Sequence, residues 1–333
     1  MKIFITGDSG FIGNYLCKYL TALDFEISGI DIAETHNINH THFNGSITDK
    51  EILRKCLLNY ECIIHLAAEH KDFGISKEQY YLVNEQGTKN LLEIASEFNI
   101  NKFIFFSSVA VYGNNQPSNE QTLPSPINHY GASKLAAEVL IQEWAKQNPD
   151  RKVIIIRPTV IFGAGNHANI FNLIKRVIDG KFYFVGKGDN VKSIAYVENL
   201  VAATHFLLER MKPGIEIFNY ADEPPLTTRQ LVELIAEIAN VSIPKFTIPL
   251  WLTVVVSQLF DIAGKITRKD FPITSARMKK FATPTFHRSD KIRALQFVQP
   301  FTIKEGLQKN IDWIRRQHNE PNTSVFPLET NQE

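Results

Sequence analysis

Met1-Lys2-Ile3-Phe4-Ile5-Thr6-Gly7-Asp8-Ser9-Gly10-Phe11-Ile12-Gly13 reads as one strand, one glycine turn and the opening of one helix. The run Ile3 to Ile5 is short, apolar and rich in strand-favouring residues, and Tyr15, Leu16, Tyr19, Leu20 and Leu23 then recur at helical spacing. Gly7, Gly10 and Gly13 stand three positions apart. Glycines so placed allow a tight turn, close approach of the backbone to a ligand, and close packing of helix on strand. The helix start at Phe11 and Ile12 offers unpaired N–H groups to an anion such as a pyrophosphate. A second apolar run, Phe25 to Ile30, ends in Asp31, about 20 residues past the turn, where a carboxylate can meet ribose hydroxyls.

The same alternation continues. Strands are expected near 2–6, 26–31, 62–66, 102–107 and 152–157, with helices near 11–23, 49–58, 78–99 and 129–147. This predicts an α/β fold, a Rossmann-type doubly wound parallel sheet that binds ligands beyond the carboxyl ends of its strands. Residues 1–165 would form the dinucleotide-binding domain, with 194–219 returning to it. Residues 166–193 and 220–333, punctuated by Pro224, Pro225, Pro244, Pro249, Pro272 and Pro284, would form a smaller C-terminal substrate lobe.

Composition excludes other classes. The chain has 333 residues, is 44% hydrophobic and carries a net charge of +1, so it can bury a large core but shows no nucleic-acid footprint. Cys17, Cys56 and Cys62 lack metal-ligand spacing and read as buried thiols in a reducing, cytoplasmic compartment, with no metal expected. No secretory signal precedes the first strand. The apolar stretch Ile248 to Ile262 is interrupted by Ser257, Gln258 and Asp261 and is shorter than the ~20 residues that span a bilayer. It reads as an amphipathic helix for core or dimer packing, not stable membrane insertion.

Tyr130 and Lys134, in His129-Tyr130-Gly131-Ala132-Ser133-Lys134, are four residues apart and share one helix face. An ammonium beside a phenol favours the phenolate and moves its titration toward neutrality, which makes the pair a candidate proton-transfer device.

Together these motifs resemble the extended short-chain dehydrogenase/reductase family, the NAD-dependent epimerase/dehydratase type with its nucleotide-sugar branch. Further matches are Ile63-Ile64-His65-Leu66-Ala67-Ala68, Val83-Asn84-Glu85-Gln86-Gly87-Thr88, Phe103 to Gly113, Arg157-Pro158 with Phe162 to Asn166, and Ala195 to Leu200. The resemblance implies a bound NAD held by Gly7, Gly10, Phe11, Ile12, Gly13, Asp31, Ser46, Ile47, Leu66, Ala67, Ala68, Asn84, Tyr130 and Lys134. It implies Ser108, Tyr130 and Lys134 as catalytic residues, with Ser107 able to stand in for Ser108. Asp31, with no Arg or Lys directly after it, favours NAD over NADP by repelling a 2′-phosphate.

The departures narrow the reading. Where sugar 4,6-dehydratases of the family place an acidic pair, this chain has Val109-Ala110, which cannot move protons. Val160 stands where epimerases often carry an Asn, and Ser46 where relatives place an Asp against the adenine. Lys192 and Arg277 occupy positions resembling those of cations on a substrate diphosphate, and Asn166 resembles a lobe contact to substrate. The expected activity is NAD-dependent oxidoreduction or epimerisation at a secondary alcohol, C4 of a nucleotide-sugar. The alternatives are a 4-ketoreductase or dehydrogenase, a 3β-hydroxysteroid-type dehydrogenase, and a non-catalytic NAD sensor. A homodimer is the family's usual state, often through paired helices around the Tyr–Lys segment; Leu135, Val139 and Leu140 offer apolar surface for it, the alternative being that they face the sheet.

Overall fold

A computed structural model describes residues 1–34, 40–71, 74–244, 247–249 and 285–319. The chain divides into two compact units: Met1–Ile161 with Asn190–Leu226 and Thr283–Phe301, and Phe162–Asp189 with Thr227–Ala282 and Thr302–Glu333.

The first unit is built on a seven-stranded sheet. Its strands are β1 (Lys2–Thr6), β2 (Glu26–Asp31), β3 (Thr41–Asn44), β4 (Cys62–His65), β5 (Lys102–Phe106), β6 (Lys152–Pro158) and Gly214–Tyr220. All the pairings are parallel, in the order Gly214–Tyr220, β6, β5, β4, β1, β2, β3. Chain order reverses between β1 and β4, and at such a switch point a crevice opens beyond the strand ends. Ile3, Phe4, Ile5, Ile63, Ile64, Phe103, Ile104, Phe105 and Ile154 to Ile156 are buried, as strands covered on both faces require.

The helices of this unit are α1 (Phe11–Thr21), α2 (Lys50–Cys56), α3 (Lys77–Tyr81), α4 (Thr88–Glu97), α5 (His129–Lys146) and, later in the chain, Val197–Leu208 and the short Asp290–Ala294 among the described residues. Side chains that suit helix starts stand at several of them. Asp49 accepts from the Glu51 and Ile52 nitrogens at the head of α2, and Asn128 accepts from the Gly131 nitrogen, 2.7 Å away, at the head of α5.

Three elements depart from the sequence reading. β3 is an added edge strand. The helix expected over 78–99 is interrupted by a π-helical turn, Leu82–Gly87, between α3 and α4. Residues 285–301, expected in the lobe, belong to the sheet unit: Phe301 accepts from Asn199, Ala221 from Ser289, and Ile217 from Lys291.

The second unit contains helices Asn169–Ile178, Thr228–Ala239 and Ile303–Asn319, which pack on one another, and a parallel pairing of Phe184–Val185 with Thr247–Ile248. A capping box between Thr227 and Gln230 opens its Thr228 helix. Among the described residues no helix is long and apolar enough to cross a membrane. Arg277 and all but the first two residues of the Ile248 to Ile262 stretch lie outside the described residues.

Candidate active site

β1 delivers the chain to Gly7, whose φ of 75° lies in the left-handed region. A Cβ on Gly7 would stand 2.8 Å from the Ala67 nitrogen, and one on Gly13 would stand 2.0 Å from the Gly7 carbonyl oxygen. Neither position admits a side chain. Gly10 caps α1 without a side-chain acceptor for the first N–H groups of the helix, beside the partly buried Phe11 and Ile12. Asp31 closes β2, accepts from the Ala33 nitrogen at 3.0 Å and remains partly exposed. Backbone donors for a pyrophosphate and a carboxylate for a ribose therefore fit a dinucleotide. Ser46 pairs its hydroxyl with Thr48, 2.8 Å away. The side chain of Ile47 is buried in the core against Gly87, so any contact it makes with a cofactor runs through its backbone.

Asp8, unremarked in the sequence reading, lies beneath the turn and is 1% exposed. Its Oδ2 is 2.8 Å from both His40 Nε2 and His42 Nδ1, in space left by Gly29, where a Cβ would stand 2.4 Å from the Asp8 Cβ.

At the end of β4 the partly buried Leu66, Ala67 and Ala68 follow His65. The Ala67 nitrogen donates to Thr6 Oγ1 at 3.2 Å, and that oxygen is 2.7 Å from His65 Nδ1. His65 Nε2 is 3.0 Å from Thr88 Oγ1, which donates to the Asn84 carbonyl at 2.6 Å. Donor accounting orients the chain: the Thr88 hydrogen is used, so Nε2 carries the imidazole proton and Nδ1 accepts from Thr6. Burial holds the imidazole well below its ordinary pKa, and the charge on Lys134 adds to the effect. His65 is thus a satisfied structural imidazole.

Asn84 sits in the π turn, 1% exposed. Its amide accepts from the Glu69 nitrogen at 2.7 Å and donates to the Glu69 carbonyl and the Ser133 hydroxyl, each at 2.9 Å. Ser133 donates in turn to the Tyr130 carbonyl at 2.9 Å. The loop after β4 is therefore tied to α5 at the turn that carries Tyr130 and Lys134.

Lys134 is 2% exposed, with Nζ 4.1 Å from the centroid of the Phe105 ring on β5. Burial pushes the amine down to about 7 from its ordinary 10.5, opposed by the carboxylate of Glu138. Tyr130 is partly exposed, its ring 6.4 Å from that of Tyr80. Three residues beyond Phe105, Ser108 caps a short 3₁₀ turn, Val109–Tyr112, and accepts from the Ala110 nitrogen at 3.1 Å. That bond uses an oxygen lone pair and leaves the hydroxyl hydrogen for another acceptor. The turn meets α5 backbone to backbone, since a Cβ on Gly131 would stand 2.5 Å from the Ala110 carbonyl oxygen. Ser107 differs: it is buried and commits its hydrogen to Glu138. The two hydroxyls that the sequence leaves open therefore stand in different surroundings, Ser107 bonded to a buried carboxylate and Ser108 at the head of the turn.

Lys192 lies in the sheet unit, bridged to Thr285, and burial lowers its amine to about 8. Asn166 lies in the second unit, where its side chain accepts from the Ala168 nitrogen at 2.8 Å. Glu138 of α5, joined in a buried ion pair to Arg157 of the Arg-Pro motif, is not singled out from sequence. The spacing of Glu138, four residues after Lys134 and eight after Tyr130, is the signal that marks it, because all three share one helix face.

Comparisons with known proteins agree with this geometry. A model of the NAD dependent epimerase/dehydratase family matches residues 3–221. An Escherichia coli O157:H7 protein, N-acetyl-alpha-D-glucosaminyl-diphospho-ditrans,octacis-undecaprenol 4-epimerase, is 38% identical over 94% of this chain and 95% of its own. Two solved structures share the fold: UDP-N-acetylglucosamine 4-epimerase from Methanobrevibacter ruminantium M1 in complex with UDP-N-acetylmuramic acid (TM-score 0.76, 22% identity, 95% of this chain and 98% of that one) and UDP-glucose 4-epimerase from Thermus thermophilus in complex with NAD (TM-score 0.73, 21% identity, 95% and 99%). They bear out the expected Rossmann-type sheet. With glycine turn, ribose carboxylate and Tyr–Lys helix in place, the chain belongs to the NAD dependent epimerase/dehydratase family, as an NAD-dependent enzyme of the extended short-chain type.

Proposed function

We propose that the protein epimerises C4 of a sugar carried on a diphosphate, an N-acetylhexosamine joined through that diphosphate to a polyprenol, with NAD retained through the cycle. The observation that carries this reading is the placement of Lys134, a buried amine one helical turn after Tyr130 and stacked on the strand that leads to Ser108. Bound NAD supplies the acceptor and donor of hydride. Tyr130 exchanges a proton with the C4 oxygen, Lys134 holds the phenolate and the nicotinamide ribose, and Ser108 donates to the same sugar oxygen. Lys192 serves the diphosphate as a point charge. The substrate assignment draws on the E. coli relative, whose alignment spans nearly both chains. Val109 and Ala110 supply no acid or base for loss of water, which favours epimerisation over dehydration.

We further infer a cytoplasmic homodimer through α5. Val139 is exposed there and Leu135 partly so, whereas Leu140 packs on the core. The buried free thiols suit a reducing compartment. Purified protein supplied with polyprenyl-diphospho-N-acetylglucosamine or with UDP-N-acetylglucosamine tests the reaction. Interconversion of C4 epimers without NADH accumulation supports it, and stoichiometric NADH would make the protein a dehydrogenase.

A further inference from the structure

The Ser107 hydroxyl, the Glu138 carboxylate and the Arg157 guanidinium form a buried cluster at the ends of β5 and β6, one helical turn along α5 from Lys134. Glu138 is 0% exposed and grips Arg157 with both oxygens, the Nε contact being 2.8 Å. Such a fork sets direction as well as distance. Arg157 spends a third donor on the Tyr112 hydroxyl at 2.8 Å, and Tyr112 donates to Asn219 at 2.8 Å. Tyr112 ends the 3₁₀ turn that Ser108 begins. One carboxylate therefore reaches the strand before Ser108 directly and, through Arg157, the turn after it.

We propose that Glu138 is a positioning residue for the reaction: it clamps α5 to the ends of β5 and β6 one turn after Lys134, and its negative charge favours the ammonium form of the Lys134 amine. This rests on the role assigned above to Tyr130 and Lys134. Lys134 is almost wholly buried, with the Phe105 ring against it, and the titratable groups acting with it are Glu138 and Tyr130 on α5 and His65 on β4. His65 is neutral and fully bonded, so the carboxylate that favours a cation at Lys134 is Glu138.

The test uses the full chain labelled with ¹³Cε-lysine, the Lys134 resonance being assigned by its loss in Lys134→Arg. Wild type, Glu138→Gln, Glu138→Asp and the double variant Glu138→Leu/Arg157→Met are titrated between about pH 5 and 10. The double variant keeps apolar volume without an orphaned charge, and covers the case in which Glu138→Gln does not fold. The expected result is a Lys134 midpoint lower by about one pH unit or more in the Gln and double variants, and near wild type in Glu138→Asp. An unchanged midpoint in the folded charge-free variants overturns the proposal. It leaves the reading of Tyr130 standing, because that is judged separately by loss of turnover in Tyr130→Phe.

Discussion

The amide of Asn84 donates to the hydroxyl of Ser133 at 2.9 Å, and so joins the π turn after α3 to the third residue past Tyr130. Because the same amide holds Glu69 through both its nitrogen and its carbonyl, Asn84 braces the loop after β4 against the reactive helix. Asn84→Ala removes all of these bonds and is expected to cost about 2–3 kcal/mol, lowering NAD affinity with it. Ser133→Ala removes one bond to Asn84 and one to the Tyr130 carbonyl. The expected cost is about 1 kcal/mol, with NAD affinity nearly intact. Thermal melts and NAD titration of the two variants check the order, which a reversed ranking would refute.

Gly13 and Gly131 both exclude a side chain, but for different steps. Gly13→Ala drives a methyl into the Gly7 carbonyl and is expected to abolish NAD binding. Gly131→Ala pushes α5 away from Ala110 and hence from the Ser108 turn. With NAD still bound, turnover should fall about 100-fold, as small misplacements of reacting groups do. Equilibrium NAD titration beside steady-state kinetics separates the two effects.

Lys134 makes activity and stability compete. Its amine titrates at about 7 when folded against 10.5 ordinarily, so between those values the unfolded chain binds more protons and stability rises with pH. Below the folded value the buried charge costs its full amount. Lys134→Met should therefore melt above wild type near pH 6, with the gap closing as pH rises through that window, while turnover is lost. Melting curves across pH check the sign, and a gap that widens with pH would refute it.

In the proposed reading Asp31 selects the cofactor. Asp31→Asn retains an acceptor for the Ala33 nitrogen but removes the charge that repels a 2′-phosphate. NADP affinity is expected to rise about tenfold relative to NAD, a shift near 1.4 kcal/mol. Competitive titration of the two dinucleotides measures it.

What could be read in the chain follows from which interactions are local. β1, the glycine turn, α1 and β2 announce themselves because apolar period, glycine spacing and Asp31 all lie within one short stretch. β3 was missed: Thr41-His42-Phe43-Asn44 is a short, polar edge strand, and His42 is turned inward by Asp8, a partner far off in sequence. The π turn at Leu82–Gly87 adds its extra residue without a proline to mark it, so the sequence shows an unbroken helix there. The placement of residues 285–301 depends on bonds such as Ser289 to Ala221, across a sequence separation that no local pattern encodes. Near the candidate site, the spacing of Tyr130 and Lys134 is enough to place them one turn apart on a single helix. The different surroundings of Ser107 and Ser108 are not legible there, because the partner of Ser107 is a carboxylate in the next helix.

The central claim is that hydride leaves and returns to the same sugar carbon on retained NAD while Tyr130 moves the proton. Substrate deuterated at C4, polyprenyl-diphospho-N-acetylglucosamine or its UDP analogue, tests this in ordinary water with mass and NMR detection of the product. The predicted result is the C4 epimer with deuterium still on C4 and no net NADH, slowed by about 100-fold or more in Tyr130→Phe. An epimer that has exchanged its C4 deuterium for solvent hydrogen, or a Tyr130→Phe variant turning over at the wild-type rate, would contradict the account.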